Sequence, residues 1–473
     1  MRCRRGGEKR CRRGGELIVM KFGGTSVEDG ARIRQVARIV ASRRREGRLV
    51  VISALGGVTD ALAAAAEAAR DGDETASRDR LRALEDRHLR TVEEAGISGS
   101  DASRLVEEIS LTFGRLNELV SGVVLLGELS GRTRDAILAA GELLSSRIVA
   151  AALRARGCEA TWHDPRELVA TSSDFGAAVA DESAIAANTA VLRTSLARNG
   201  VAVTGGFVGR DRAGETTTLG RGGSDYSASL LGAALGASVI EIWTDVDGLM
   251  TADPRVVPAA RLVPEVSYAE ASELAFFGAK VLHPATIRPA VASGIPVRIR
   301  NTARPGGKGT EIRRDAGGTG VRALAARPGA AAIFARNPRM LLSEGYASRI
   351  FAVFEKHRVP VDVIATSEIS ISTTVSASAP VDDVVRDLGR FCEVETIRGL
   401  AVVSVVGRGL RTTPGIAAKT FAALDDINVV MISQGASETN LTFVIDEGSV
   451  RSALERLHRT FFEEIEGRAE ECA

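Results

Sequence analysis

Lys21-Phe22-Gly23-Gly24-Thr25-Ser26 places a lysine just ahead of a glycine pair. Glycines let backbone approach a phosphate closely, and a helix N-terminus beyond them supplies N–H donors and a positive dipole end. Lys21 could then hold a phosphate as a point charge. The same pattern fits an ordinary tight turn, and it is not a Walker loop, since GxxxxGK[ST] does not occur. The segment TTTLGRGGSDYSAS, residues 216–229, says more. Small and glycine positions surround Arg221 and Asp225 ahead of an apolar helix, Leu230–Leu235, offering a guanidinium fork to a carboxylate. A charged surface turn is the plainer alternative. Glu142, in AAGELLSS, sits on an otherwise Ala/Leu helix, where it could meet a ligand ammonium or face solvent. Thr244-Asp245 and Asp253-Pro254-Arg255 bracket VDGLMTA, a strand-end loop that suits a nucleotide or a salt-bridged turn. His283, before Pro284, reads as structural. No His/Cys cluster has metal-ligand spacing, so no dedicated metal site is expected and any metal should be Mg²⁺ carried with a nucleotide.

These residues need a scaffold, and the apolar runs supply one. Leu17–Met20 ends in the glycine loop, and Leu49–Ser53 ends at Ala-Leu-Gly-Gly57. Between them, residues 31–45 carry apolar side chains at helical spacing. Strand, helix, strand with a loop after each strand predicts a parallel sheet, extended by 201–204, 238–243 and 296–300. Residues 60–156 are rich in Ala, Leu, Glu and Arg with few breakers, which predicts packed helices; no heptad is sustained long enough for a coiled coil. Glycine-rich stretches at 304–309 and 315–320 mark a boundary, and beyond them lies an internal repeat. GYASRIFAVFEKHRVPVDVIATSEISISTTV begins at Gly345 and GIAAKTFAALDDINVVMISQGASETNLTFVID at Gly415. Each runs glycine turn, amphipathic helix, strand, turn, strand, with a strand-like run before and a second helix after. That predicts two ferredoxin-like βαββαβ units in tandem.

At 473 residues the chain should hold two or three domains. Net charge of +1 argues against a nucleic-acid or membrane partner. The charge is uneven, because residues 1–16 hold seven Lys/Arg and two Glu and repeat CRRGGE. With almost no apolar side chain, this segment reads as a disordered basic arm or a mis-assigned start, and it lacks the apolar stretch of a secretory signal. The five cysteines form no CxxC, which suits reduced thiols in a cytoplasm. No uninterrupted apolar run approaches a membrane span.

Taken together, KFGGTSV (21–27), TTTLGRGGSDYSAS, WTDVDGLMTADPR (243–255) and FGAKVLHPATIRPA (277–290) resemble the aspartokinases of the amino-acid kinase family, in order and spacing, over residues 17–465. The resemblance implies an α/β, three-layer αβα catalytic domain with a largely parallel sheet at 17–310. A linker at 311–330 would follow, then ACT domains at 331–398 and 399–473. It implies transfer of the γ-phosphoryl of MgATP to L-aspartate, giving 4-phospho-L-aspartate for lysine, threonine and methionine synthesis. Lys21 would contact the phosphoryl group, with Gly23 and Gly24 beside it. Ser53, Thr59, Glu142 and Arg221 would hold aspartate, supported by Asp225. Thr244, Asp245, Met250, Arg255 and Lys280 would form the nucleotide side. Met250 stands where such enzymes often carry Tyr, which bears on a ring contact to the nucleotide. Residues 339–351 and 361–370 resemble the lysine-inhibited branch. Met340, Ser343, Tyr346, Ala347, Val361, Asp362, Thr366, Ser367 and Glu368 would then bind L-lysine, with L-threonine as the alternative effector. Pairing of ACT units between chains implies a homodimer or higher homo-oligomer. The chain ends after the second repeat, so a fused homoserine dehydrogenase is not expected. Glutamate 5-kinase and a non-catalytic amino-acid sensor are the competing readings.

Overall fold

The computed structural model describes residues 16–43, 46–197, 200–277, 284–338, 344–435 and 437–463. They form two compact units. One holds residues up to Asp247 together with Ala285–Lys308; the other holds Gly248–Pro284 and the described chain from Gly309 onward.

The first unit is built on parallel strands. β1 (Leu17–Phe22) pairs with β2 (Gly47–Ile52) on one side and with β7 (Val239–Thr244) on the other. β4 (Val201–Gly205) and then β3 (Ala160–His163) continue beyond β2, and the Val297–Asn301 strand continues beyond β7. β5 (Val208–Arg210) and β6 (Thr216–Thr218) form a separate hairpin. Strands covered on both faces need apolar side chains at every position, which is why β1 and β2 read as continuous runs rather than alternations. Connections from β1 lead to one side of the sheet and β7 lies on the other. The carboxyl ends of β1 and β7 therefore flank a topological switch point, where open α/β sheets place their ligands.

Helix α1 (Gly30–Ser42) follows the glycine loop and is capped by Asp29, whose side chain accepts from the Arg32 N–H at 2.7 Å. Four helices fill the predicted helical region: α2 (Val58–Arg70), α3 (Glu74–Glu94), α4 (Gly99–Leu126) and α5 (Gly131–Ala155). By length and composition, α4 and α5 could each cross a membrane, a feature the search for uninterrupted runs passed over. Both have another use for their apolar residues. The apolar window of α5 is 78% buried, whereas α4 turns Leu105, Ile109, Phe113, Leu116, Val120 and Val123 inward at helical spacing and keeps charges outside.

The second unit corrects three expectations. Its six-stranded antiparallel sheet contains two long strands, Gly320–Arg336 and Glu393–Arg408, that pair along their whole lengths. The first repeat uses residues 330–336 and 393–397, flanked by Ser370–Ser376 and Ile364–Thr366. The second repeat uses residues 400–408, Asn440–Asp446 and Val429–Gln434, and its fourth strand is residues 320–327. The two ferredoxin-like units are thus interleaved rather than tandem, the first being inserted within the second. The segment 311–330 is accordingly not a linker. The glycine-rich stretch at 315–320 marked a boundary, but a strand starts at Gly320 and runs on through Pro328 and Gly329, where the register shifts between Arg327 and Ala330 and a missing N–H is tolerated. Residues 248–277, expected with the catalytic domain, join this unit, where Ala252 and Val257 pack with Leu454, Leu457 and Phe461. Gly345 and Gly415 start corresponding helices, both in the left-handed region (φ 73° and 85°). The basic arm of residues 1–15 lies outside the described residues.

Candidate active site

A cavity of about 910 Å³ opens beside the carboxyl ends of β1 and β2 in the first unit. It is lined by Lys21, Gly24, Ser53, Thr59, Glu142, Arg221 and Asp225, residues drawn from four separate segments of sequence. β1 delivers Lys21, which is 9% exposed, and its Nζ sits 2.7 Å from Asp225 Oδ1. Asp225 lies in the first turn of the Gly223–Leu235 helix, where a carboxylate also meets the positive end of the dipole. Gly222 begins that helix in the left-handed region (φ 72°).

The glycine loop is held tightly to the sheet. Gly23 N–H donates to the Trp243 carbonyl at 3.1 Å, and the Ser26 hydroxyl reaches the same carbonyl at 3.2 Å. Ser26 also meets the Thr302 hydroxyl at 2.6 Å, and the rings of Phe22 and Trp243 stack beneath the turn with centroids 5.7 Å apart. A side chain at Gly24 would come within 3.2 Å of the Ala54 carbonyl and 3.4 Å of Gly56, a close approach that favours glycine here. Ser53 is fixed through its backbone: its N–H donates to Phe22 and its carbonyl accepts from Ser145 Oγ at 2.7 Å.

Glu142 is 4% exposed on α5, and among the described residues its Oε2 has no hydrogen-bond partner. Burial pushes its carboxyl up to about 8; the Ala54 N–H and the Lys21 charge pull against that only in part. An unsatisfied carboxyl beside a cavity is suited to a ligand cation. Arg221 lies exposed at the cavity mouth, free to swing onto an anionic group.

Several lining residues escaped the sequence reading. Phe207 borders the cavity with φ 65°, a conformation costly for a non-glycine residue. It is held there by two hydrogen bonds, from its N–H to Ser227 Oγ at 3.0 Å and from the Leu219 N–H to its carbonyl at 2.9 Å. Phe175, Gly176, Thr218 and the fully buried Asp135 also line it. Only Asp135, a charge on an apolar helix face, left a readable trace.

The nucleotide-side residues are not gathered into this cavity. Thr244 and Asp245 lie at the carboxyl end of β7, with the Thr244 hydroxyl donating to Asp245 at 3.1 Å. Met250 and Arg255 belong to the second unit, where Arg255 is engaged by Asp253 at 2.7 Å. Lys280 lies outside the described residues. Of the effector set, Met340 and Ser343 also lie outside them. Tyr346 is buried, its hydroxyl donating to the Phe391 carbonyl at 3.4 Å, while Ala347, Thr366, Ser367 and Glu368 are exposed and Val361 is half-buried. Asp362 is ion-paired with Arg327.

Residues 16–301 match the amino acid kinase family, and residues 403–461 match the ACT domain. The chain is 36% identical to lysine-sensitive aspartokinase 3 of Escherichia coli K12, over 94% of this chain and 99% of that protein. It is also 36% identical to chloroplastic aspartokinase 1 of Arabidopsis thaliana, over 94% and 80% respectively. Among solved structures, E. coli aspartokinase III in complex with aspartate and ADP superposes with a TM-score of 0.80 at 37% identity, covering 95% of this chain and all of that one. The same enzyme in complex with lysine and aspartate gives a TM-score of 0.80 at 36% identity, over 94% of this chain and all of that one. With a parallel-sheet catalytic unit, an ACT sheet and relatives matched over nearly their full length, this chain belongs to the amino acid kinase family and, within it, to the aspartokinases.

Proposed function

We propose that the chain transfers the γ-phosphoryl group of ATP to the side-chain carboxylate of L-aspartate. The observation carrying this reading is the convergence of Lys21, Asp225, Glu142 and Arg221 on one cavity. Two of these residues are suited to the ends of an α-amino acid: Glu142 to the ammonium and Arg221 to the α-carboxylate. The side-chain carboxylate, anchored near Ser53 and Thr59, needs no general base because it is already ionised at neutral pH. Its oxygen forms the new bond to the γ-phosphorus while the bond from that phosphorus to the bridging oxygen breaks, and ADP leaves with the electron pair. Lys21 neutralises charge on the transferring group, and Asp225 keeps its ammonium aimed at the cavity.

The nucleotide is assigned to the carboxyl ends of β1 and β7, which carry Gly23, Gly24, Thr244 and Asp245; Met250, Arg255 and Lys280 rest on the family resemblance alone. Asp60 also lines the cavity and offers a carboxylate to magnesium carried in with the nucleotide, whereas Asp225 is engaged by Lys21. When bound with the nucleotide, Mg²⁺ supplies further neutralisation of phosphate charge. Free thiols at Cys158 and Cys392 suit a reducing cytoplasm.

A coupled ADP-release assay tests the reading. Turnover is expected with aspartate and not with glutamate; turnover with glutamate alone, or ADP release with neither acid, overturns it. We also propose feedback inhibition by L-lysine at the first ACT unit, with Asp362 and Glu368 offering charge to the ligand ammonium groups. The lysine-sensitive relative and the lysine complex support this choice over L-threonine. Saturating lysine is expected to suppress turnover in the same assay, with threonine without effect; the reverse pattern would reassign the effector. Self-association through the ACT units is expected to give a dimer or larger assembly by light scattering.

A further inference from the structure

Asp135 is fully buried, yet its two oxygens accept three hydrogen bonds from outside its own helix. The Gly176 N–H reaches Oδ2 at 2.9 Å and the Thr218 N–H reaches it at 2.8 Å, while the Thr218 hydroxyl donates to Oδ1 at 2.9 Å. Three donors converging on one side chain suit a carboxyl group, whose two oxygens have lone pairs enough to accept all three. The two loops it gathers also touch each other. The Thr218 carbonyl accepts from the Ala178 N–H at 2.9 Å, and a side chain at Gly220 would come within 3.1 Å of the Gly176 carbonyl.

We infer that Asp135 is a positioning residue for the amino-acid subsite, fixing the Arg221 loop relative to Glu142. The inference rests on the aspartate reading above. Glu142 lies on the same helix as Asp135, seven residues or about two turns further on, and so on the same face. Arg221 lies three residues beyond Thr218, past Leu219 and Gly220, in the segment that Asp135 holds. One rigid helix therefore carries the ammonium partner at one point and, at another, the clip for the segment bearing the carboxylate partner. The separation of the two charges recognising an amino acid is set by α5. Loosening the clip displaces Arg221 without touching Lys21 or the glycine loop, so aspartate binding should suffer while nucleotide binding does not.

Steady-state kinetics of Thr218→Val, Thr218→Ser and Asp135→Asn test this in the full chain, with each KM measured separately. Thr218→Val removes one of the three bonds and is expected to raise the aspartate KM about tenfold, leaving the ATP KM within about twofold. Thr218→Ser keeps the hydroxyl and should restore the aspartate KM. Asp135→Asn places an N–H₂ group against a donor and should act in the same direction, more strongly. Thr218→Val keeps the test decisive should Asp135→Asn fail to fold. An unchanged aspartate KM in Thr218→Val overturns the inference, as does a parallel rise in both KM values with a lowered Tm, the mark of a merely structural contact. A wild-type chain with no aspartate-dependent turnover would instead overturn the aspartate reading.

Discussion

Replacing Lys21 with alanine is expected to lower kcat about 10²–10³-fold, the usual effect of removing one preorganised charge from a phosphoryl-transfer site. The residue sits at the end of a strand buried in the sheet, with its ammonium 2.7 Å from Asp225 and beside the carboxyl of Glu142. It is therefore aimed before substrate arrives and loses little freedom during the reaction. Truncation also leaves Asp225 without its cation, a structural cost that a second variant separates from the chemical one. Lys21→Ala combined with Asp225→Asn removes the stranded charge. If the double variant regains stability in a thermal melt but not turnover, the defect lies in the chemistry. Near-normal kcat in Lys21→Ala would refute the phosphoryl contact.

Glu142→Gln is expected to raise the aspartate KM roughly 100-fold, about 3 kcal/mol, because the amide keeps the shape and loses the charge facing the substrate ammonium. The wild-type pH profile carries a second signature. With its carboxyl raised to about 8 by burial, Glu142 is mostly protonated in the free enzyme at pH 7. The ammonium binds the ionised form, so binding must expel that proton. Consequently kcat/KM for aspartate should climb with pH, by up to tenfold per unit, and level off above about 8. The climb should vanish in Glu142→Gln. A flat wild-type profile between pH 6 and 8 would mean that Glu142 is not the ammonium partner.

Legibility in the sequence followed the range of the interactions involved. The strands of the catalytic unit could be read because burial on both faces enforces apolar runs, and the glycine loop because close approach favours glycine at Gly24. Glu142 stood out as a charge on an Ala/Leu helix. Asp135 carried a similar local signal, but its meaning depends on Gly176 and Thr218, whose distances along the chain no periodicity encodes. Phe207 was hidden for another reason: its left-handed backbone is imposed by Ser227 and Leu219, and nothing in the residue itself announces it. Misplacement of residues 311–330 was compositional, since the glycines at 315–320 signal a break while a long strand begins at Gly320. The second repeat offered no hint that its last strand had come from upstream.

The borrowed strand bears on how the protein is made. Residues 320–327 leave the ribosome before their partners at 402–408, roughly 80 residues later, which is about 4–16 s at ordinary elongation rates. During that interval Val321–Ala326 has no sheet to join, while the inserted repeat can already close on its own local contacts. Nascent chains halted after residue 398 should therefore expose an apolar strand that invites chaperones or pairing with a neighbouring chain. Expression of the second repeat from residue 399 alone should leave the Val402–Val406 edge open and favour aggregation.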